Sequence, residues 1–171
     1  MRAVLSIDDR GVDDIASAIA DLALPLGVRV CTAESLTTGG IAAALGKARE
    51  ASTWFAGGVV AYTDEAKFSA LGVPRGRVVS ERCAEQMARG AAELLQAEVA
   101  VAVTGAAGPE GAEGHPAGTV MLAVLGPDGA EVRTVQFAGE PADVVEQTIR
   151  VALSSVLDRL DGLSARTGRT R

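Results

Sequence analysis

Apolar runs at residues 28–32, 57–62 and 99–103 alternate with segments in which apolar side chains recur every three or four positions. Short apolar runs read as buried strands and the longer period as helix faces packed on them. Ile15, Ile19 and Leu22 follow Asp13 and Asp14 and predict an amphipathic first helix that ends near Pro25 and Gly27. Residues 42–45 and 65–71 read as short helices, the second stopped by Gly72-Val73-Pro74. Ser80 is placed to cap a long helix over residues 81–97, with Cys83, Met87, Ala91, Leu94 and Leu95 on its apolar face. This βαβαβ order makes the three strands parallel through right-handed crossovers.

The character then changes. Residues 118–125 and 131–137 flank Gly126-Pro127-Asp128-Gly129, a turn signal for an antiparallel hairpin. Pro141 suits the first turn of a last helix over residues 142–160, with Val144, Val145, Thr148, Ile149, Ala152, Val156 and Leu160 facing the sheet. The prediction is an α/β fold with a mixed, mainly parallel sheet, helices on both faces and an antiparallel hairpin.

Composition narrows this further. At 171 residues the chain reads as a single domain over residues 1–163 with a basic tail over 164–171, the tail expected as a solvated terminus. Apolar residues make up 48% of the chain but aromatics only 3%, so Ala, Val, Leu and Ile must fill the core by close packing. A net charge of −6 opposes non-specific binding of nucleic acid. No apolar run approaches the roughly 18 residues of a membrane span, and residues 1–9 lack a secretory h-region, so a cytoplasmic protein is expected. Cys31 and Cys83 lie outside any Cys-x-x-Cys spacing and read as free thiols.

If the three runs are neighbouring parallel strands, their polar loops meet at one sheet edge, where open α/β folds bind ligands. The loops carry Ala33-Glu34-Ser35-Leu36-Thr37-Thr38-Gly39-Gly40, Tyr62-Thr63-Asp64-Glu65-Ala66-Lys67 and Thr104-Gly105-Ala106-Ala107-Gly108-Pro109. Ser35, between a strand and a helix start, suits a nucleophile served by backbone donors near it and at that helix start. Familiar alternatives fail. Gly40 to Gly46-Lys47 has one residue too many for a Walker A loop, and Pro109 interrupts the helix a dinucleotide fingerprint needs. His115, the one histidine, sits between Gly114 and Pro116 in a glycine-rich loop and is poorly placed for a Ser-His-Asp triad.

The candidate base for Ser35 is an amine, Lys67, whose loop is expected to lie beside the serine loop. A lysine pKa near about 10.4 must fall by about three units, about 4 kcal/mol of differential destabilisation of the ammonium, for the amine to act near neutral pH. Tyr62 is a candidate to orient it or relay a proton, whereas pairing with Glu34 or Glu65 would hold it charged. Singly, each residue has a plainer reading: Ser35 or Thr37 as helix caps, Lys67 as a solvated side chain, Tyr62 as a strand anchor. The loop from Gly105 to Gly118 suits either close backbone approach to a ligand or a mobile lid.

These residues resemble the CinA C-terminal domain family, whose characterised members are nicotinamide mononucleotide deamidases. The likeness runs from about Ala33 to Phe137 through Thr32-Ala33-Glu34-Ser35, Trp54-Phe55, Gly58-Val59-Val60, Tyr62 to Lys67, Leu71-Gly72-Val73, Val79-Ser80-Glu81, Thr104 to Gly111 and Pro116 to Val120. It implies a three-layer α/β/α fold, cofactor-free and metal-free hydrolysis of the nicotinamide carboxamide, a pyridine nucleotide as ligand, and homo-oligomers with sites near subunit contacts. It places the nucleophile on Ser35, the dyad lysine on Lys67, the tyrosine on Tyr62, and substrate contacts on Glu34, Thr37, Gly39, Thr104, Gly105, Ala106 and Gly108.

Two departures stand out. The family usually has Cys-Thr-Gly-Gly after its serine, where this chain has Leu36-Thr37-Thr38-Gly39. The arginines of the family's Gly-Asp-Arg and Val-Arg, expected to help hold the substrate phosphate, are replaced by Gly139-Glu140-Pro141 and Val144-Val145-Glu146. Arg75, Arg77, Arg150 and the tail arginines are candidates to substitute. These departures favour a rival reading, a non-catalytic pyridine-nucleotide-binding or protein-interaction module with a degenerate phosphate site.

Overall fold

A computed structural model describes residues 10–168; the N-terminal residues 1–9 and the last three arginine-rich positions, 169–171, on which part of the leader and tail expectations rests, lie outside the described residues. The order is α1 (Val12–Leu26), β1 (Val30–Glu34), α2 (Gly40–Gly46), α3 (Ala51–Trp54), β2 (Phe55–Val60), α4 (Asp64–Leu71), α5 (Glu81–Leu95), β3 (Val99–Ala106), β4 (Thr119–Gly126), β5 (Gly129–Gln136) and α6 (Pro141–Gly168). The five strands form one sheet in the order β2-β1-β3-β4-β5. β1 pairs in parallel with both β2 and β3, whereas β3-β4 and β4-β5 are antiparallel. The sheet is thus mixed, with parallel and antiparallel pairings in equal number, although four of its five strands run the same way.

β3 shows why the layers assemble. Its Val99, Val101 and Val103 face a core shared with Ile15 and Ile19 of α1 and Val156 and Leu160 of α6. Its Ala100 and Ala102 face the other way, against Ala84, Met87, Ala88 and Ala91 of α5. Strand alternation sends one side-chain set to each face, and the small set lets α5 lie close to the sheet. The approach of α5 to α4 is closer still, since a Cβ on Gly90 would fall on the Leu71 carbonyl oxygen.

Several boundaries differ from the sequence expectation for physical reasons. β1 starts two residues later than the expected run, because Val28 still closes α1, its N–H donating to Ala23, with Gly27 left-handed at φ 64°, and β2 starts two residues earlier, at Phe55 directly after α3. Trp54 ends a four-residue helix, α3, with its indole N–H on the Arg49 carbonyl at 3.0 Å. The last helix runs eight residues past Leu160 to Gly168, and Arg166 on that extension pairs with Asp128 at 2.8 Å.

Candidate active site

The loop after β1 is built around one buried carboxylate. Glu34, fully buried at the end of β1, accepts from Thr37 Oγ1 at 2.7 Å, Thr32 Oγ1 at 3.0 Å, and the N–H groups of Gly39, Ile41 and Ala42 at 3.1, 3.0 and 2.7 Å. The first N–H groups of a helix have no intrahelical acceptor, and here a side chain from the preceding strand supplies one for α2. Gly58 of β2 makes room for this arrangement, because a Cβ there would collide with Thr32 Oγ1. Glu34, Thr37 and Gly39 thus hold the loop in shape through bonds to one another.

Ser35 is fixed from its backbone. Its N–H donates to Val103 at 3.1 Å and its carbonyl accepts from Thr38 at 3.1 Å. Its side chain is 7% exposed, and among the described residues its hydroxyl has no hydrogen-bond partner. Glu34 occupies the donors at the start of α2, so these N–H groups are not available to an oxyanion, contrary to the sequence expectation. The N–H groups of Leu36 and Thr37, immediately after the serine, donate to nothing among the described residues.

Lys67 lies on α4 and is 2% exposed, so it is not a solvated side chain. Its Nζ donates to the carbonyl oxygen of Tyr62 at 3.1 Å. Burial pushes its pKa below the ordinary lysine value, while the charges of Asp64, Cys83 and Glu113 pull the other way. Neither carboxylate feared as a partner is one. Glu34 serves α2, and Glu65 accepts from Ser69 at 2.9 Å and pairs with Arg75 at 2.9 Å. Tyr62 is 65% exposed, and its one hydrogen bond with the amine runs through its backbone carbonyl.

The pairing register brings the loops to one edge. Glu34 stands beside Val60 of β2 and Val103 of β3, so Ser35 and Tyr62 leave the sheet at neighbouring strand ends, whereas Thr104, Gly105 and Ala106, expected in a loop, continue β3 because β4 pairs with them. The third loop is tied down rather than open. Thr104 Oγ1 donates to the Val78 carbonyl at 2.9 Å, and a Cβ on Gly105 would fall on the Thr119 carbonyl oxygen. Ala106 accepts from Gly118 at 2.7 Å, and Ala112 and His115 bond each other through their backbones. Of the glycines expected against substrate, Gly108 alone has open space where a Cβ would stand.

Sequence reasoning missed Glu113. Its carboxylate accepts from the N–H groups of Val78 and Val79 at 3.1 and 2.8 Å, and Arg77 donates to its carbonyl oxygen. It staples the glycine-rich loop to the segment before α5, and nothing in its neighbours, Ala112 and Gly114, signals that partner. Of the arginines proposed to replace the absent pair, Arg150 donates to the Arg10 carbonyl at 2.8 Å and lies 3.9 Å from Glu146. Arg75 and Arg77 instead border a separate cavity.

The family model of the CinA C-terminal domain matches residues 12–160, nearly the whole described chain. The chain belongs to the CinA C-terminal domain family. It is 37% identical over 162 residues to Protein YdeJ of Escherichia coli K12, covering 90% of this chain and 93% of that protein. It is 41% identical over 159 residues to a CinA-like protein of Mycolicibacterium paratuberculosis, covering 86% of this chain but 36% of the relative, so it spans about a third of that longer protein. Among solved structures, a CinA superfamily protein of Klebsiella pneumoniae 700603 superposes with a TM-score of 0.85 at 34% identity, covering 90% of this chain and 99% of the other. The competence/damage inducible protein CihA of Agrobacterium tumefaciens gives 0.81 at 36% identity, covering 89% and 97%. The mixed α/β sheet with helices on both faces is thus the fold of the CinA family. No helix among the described residues is long and apolar enough to cross a membrane.

Proposed function

We propose that this CinA-family chain is a metal-independent amidohydrolase that converts nicotinamide mononucleotide to nicotinate mononucleotide and ammonia, with Ser35 as nucleophile and Lys67 as base. The observation that carries the reading is the state of Lys67: an almost fully buried amine with no ion pair among the described residues, held by one backbone carbonyl and depressed in pKa by its burial. Burying an ammonium without a carboxylate is costly, so such a site favours the neutral amine that a general base requires. The hydroxyl of Ser35, without a partner among the described residues and at the end of the strand that pairs directly with β3, is the nucleophile this amine would serve.

In this mechanism Lys67 takes the Ser35 proton as Oγ attacks the carboxamide carbon. The oxyanion accepts from the N–H groups of Leu36 and Thr37, donors worth about 2.7–4 kcal/mol each when preorganised. The Lys67 ammonium then gives its proton to the departing nitrogen, ammonia leaves, and an ester to Ser35 remains. Water, deprotonated by the regenerated amine, attacks that ester, and the Lys67 ammonium returns the proton to Ser35 Oγ as the carboxylate leaves.

Ammonia release from the mononucleotide by the purified chain tests the assignment. Lys67→Ala should lower the rate by roughly 10²–10⁴-fold, and Ser35→Ala should abolish it. No ammonia release by the wild-type chain favours the rival, a non-catalytic binding module, which the exposed Thr38 and the missing arginines support.

A further inference from the structure

A cavity of about 280 Å³ lies between the segment after α4 and the first turns of α5, bordered by Arg75, Arg77, Ser80, Arg82, Cys83 and Gln86. In a chain of net charge −6, its lining carries three arginines and no carboxylate. Two of the three are held in place from outside the cavity. Arg75 pairs with Glu65 at 2.9 Å and lies over the Phe68 ring at 5.1 Å, and Arg77 donates to the Glu113 carbonyl oxygen. Arg82 has no hydrogen bond or ion pair among the described residues. Each guanidinium offers five donors in a planar fork suited to phosphate oxygens; Arg75 engages Glu65 through Nη2 alone and Arg77 engages Glu113 through Nη2 alone, which leaves the remaining donors open.

The start of α5 adds to this. Ser80 caps the helix, accepting from the Cys83 N–H at 3.1 Å and donating to the Arg77 carbonyl at 3.2 Å, which fixes Arg77 relative to the helix. The N-terminus of α5, the positive end of its dipole, thus borders the same cavity as the three arginines. The cavity is slightly below the roughly 300–1,000 Å³ of pockets that enclose whole small molecules, a size that suits one charged end of a ligand. It also shares a wall with Lys67. Val73, in its lining, donates its N–H to the backbone carbonyl of Lys67 at 3.2 Å.

We propose that this cavity is an anion subsite, completed by Arg82, that takes the phosphomonoester end of the substrate in place of the family's missing arginines. Its identification with the substrate's phosphate rests on the mononucleotide reading; its affinity for phosphate does not. The charge is supplied from the loop between α4 and α5 and from the first turn of α5 rather than from the start of α6, where Glu140, Asp143 and Glu146 would repel an anion.

The test measures binding of inorganic phosphate to the full chain by calorimetry at low salt, for wild type, Arg82→Ala and the triple variant Arg75→Ala/Arg77→Ala/Arg82→Ala. Thermal melts establish that each variant is folded, and Arg82→Gln serves as a second single variant that keeps side-chain bulk. Saturable binding that weakens about tenfold in both Arg82 variants and vanishes in the triple variant is expected. Ammonia release is read in parallel, where the preference for the mononucleotide over its unphosphorylated nucleoside should fall about tenfold in Arg82→Ala. Phosphate binding unchanged in the folded triple variant overturns the subsite, whatever the amidase activity. Arginine-dependent phosphate binding without ammonia release from any substrate upholds the anion site and overturns the amidase reading instead.

Discussion

The Lys67 amine donates to the backbone carbonyl of Tyr62 at 3.1 Å, while Tyr62 itself is 65% exposed. Orientation of the amine therefore comes from the course of the chain between β2 and α4, with Thr63 capping α4 by accepting from the Ala66 N–H at 3.2 Å. Tyr62→Phe keeps that carbonyl. Its kcat for ammonia release should stay within about threefold of wild type, a loss of less than about 1 kcal/mol, in steady-state assays. A loss comparable to that of Lys67→Ala would mean that the phenol moves the proton.

Burial of Lys67 has a signature in stability. Its pKa is lowered in the folded chain, so the unfolded chain binds more protons between the folded value and the ordinary lysine value near about 10.4. Stability contributed by this group therefore rises with pH through that window, and below it the buried site is a liability. Lys67→Met, similar in volume and uncharged, should raise the urea midpoint at pH 7, and the advantage should shrink as pH approaches 10. An advantage that is constant with pH would contradict the account.

Glu34 is expected to be the most sensitive position near the site. Glu34→Gln keeps the shape but turns an acceptor into an N–H donor facing the backbone donors of α2. Stability should fall by about 2–4 kcal/mol in urea titrations, with ammonia release falling as well because Ser35 follows directly. Near-normal stability would mean that the helix start does not depend on this carboxylate.

Thr38 is held at φ 48°, in the left-handed region, at the position where the family usually has glycine. An L-residue there costs roughly 1–2 kcal/mol, partly offset by the greater freedom glycine has in the unfolded chain. Thr38→Gly should stabilise by about 0.5–1 kcal/mol, a rise in Tm of about 2–3 °C, measured by calorimetry. The same variant should improve KM if the threonine crowds the substrate.

The sequence displayed the layers well because strand period and helix period differ, and Val and Ala alternate cleanly along β3. That the loops carrying Ser35 and Lys67 follow neighbouring parallel strands was legible from the apolar runs before them. The role of Glu34 was not, because a carboxylate beside a serine reads the same whether it touches substrate or caps the next helix; only the five donors converging on it distinguish the two. Glu113 and Arg82 escaped for a related reason. Their partners and neighbours lie on segments 34–35 positions away for Glu113 and across a cavity for Arg82, with no short motif linking them.

The central claim is that the Ser35 hydroxyl, served by the buried amine of Lys67, becomes covalently acylated by a carboxamide substrate. Mass spectrometry of acid-quenched reactions with nicotinamide mononucleotide reads this directly. The account predicts an ester adduct on the peptide that contains Ser35, absent in Ser35→Ala and strongly reduced in Lys67→Ala. Ammonia release at the wild-type rate by Ser35→Ala, or an adduct confined to another residue, would contradict it.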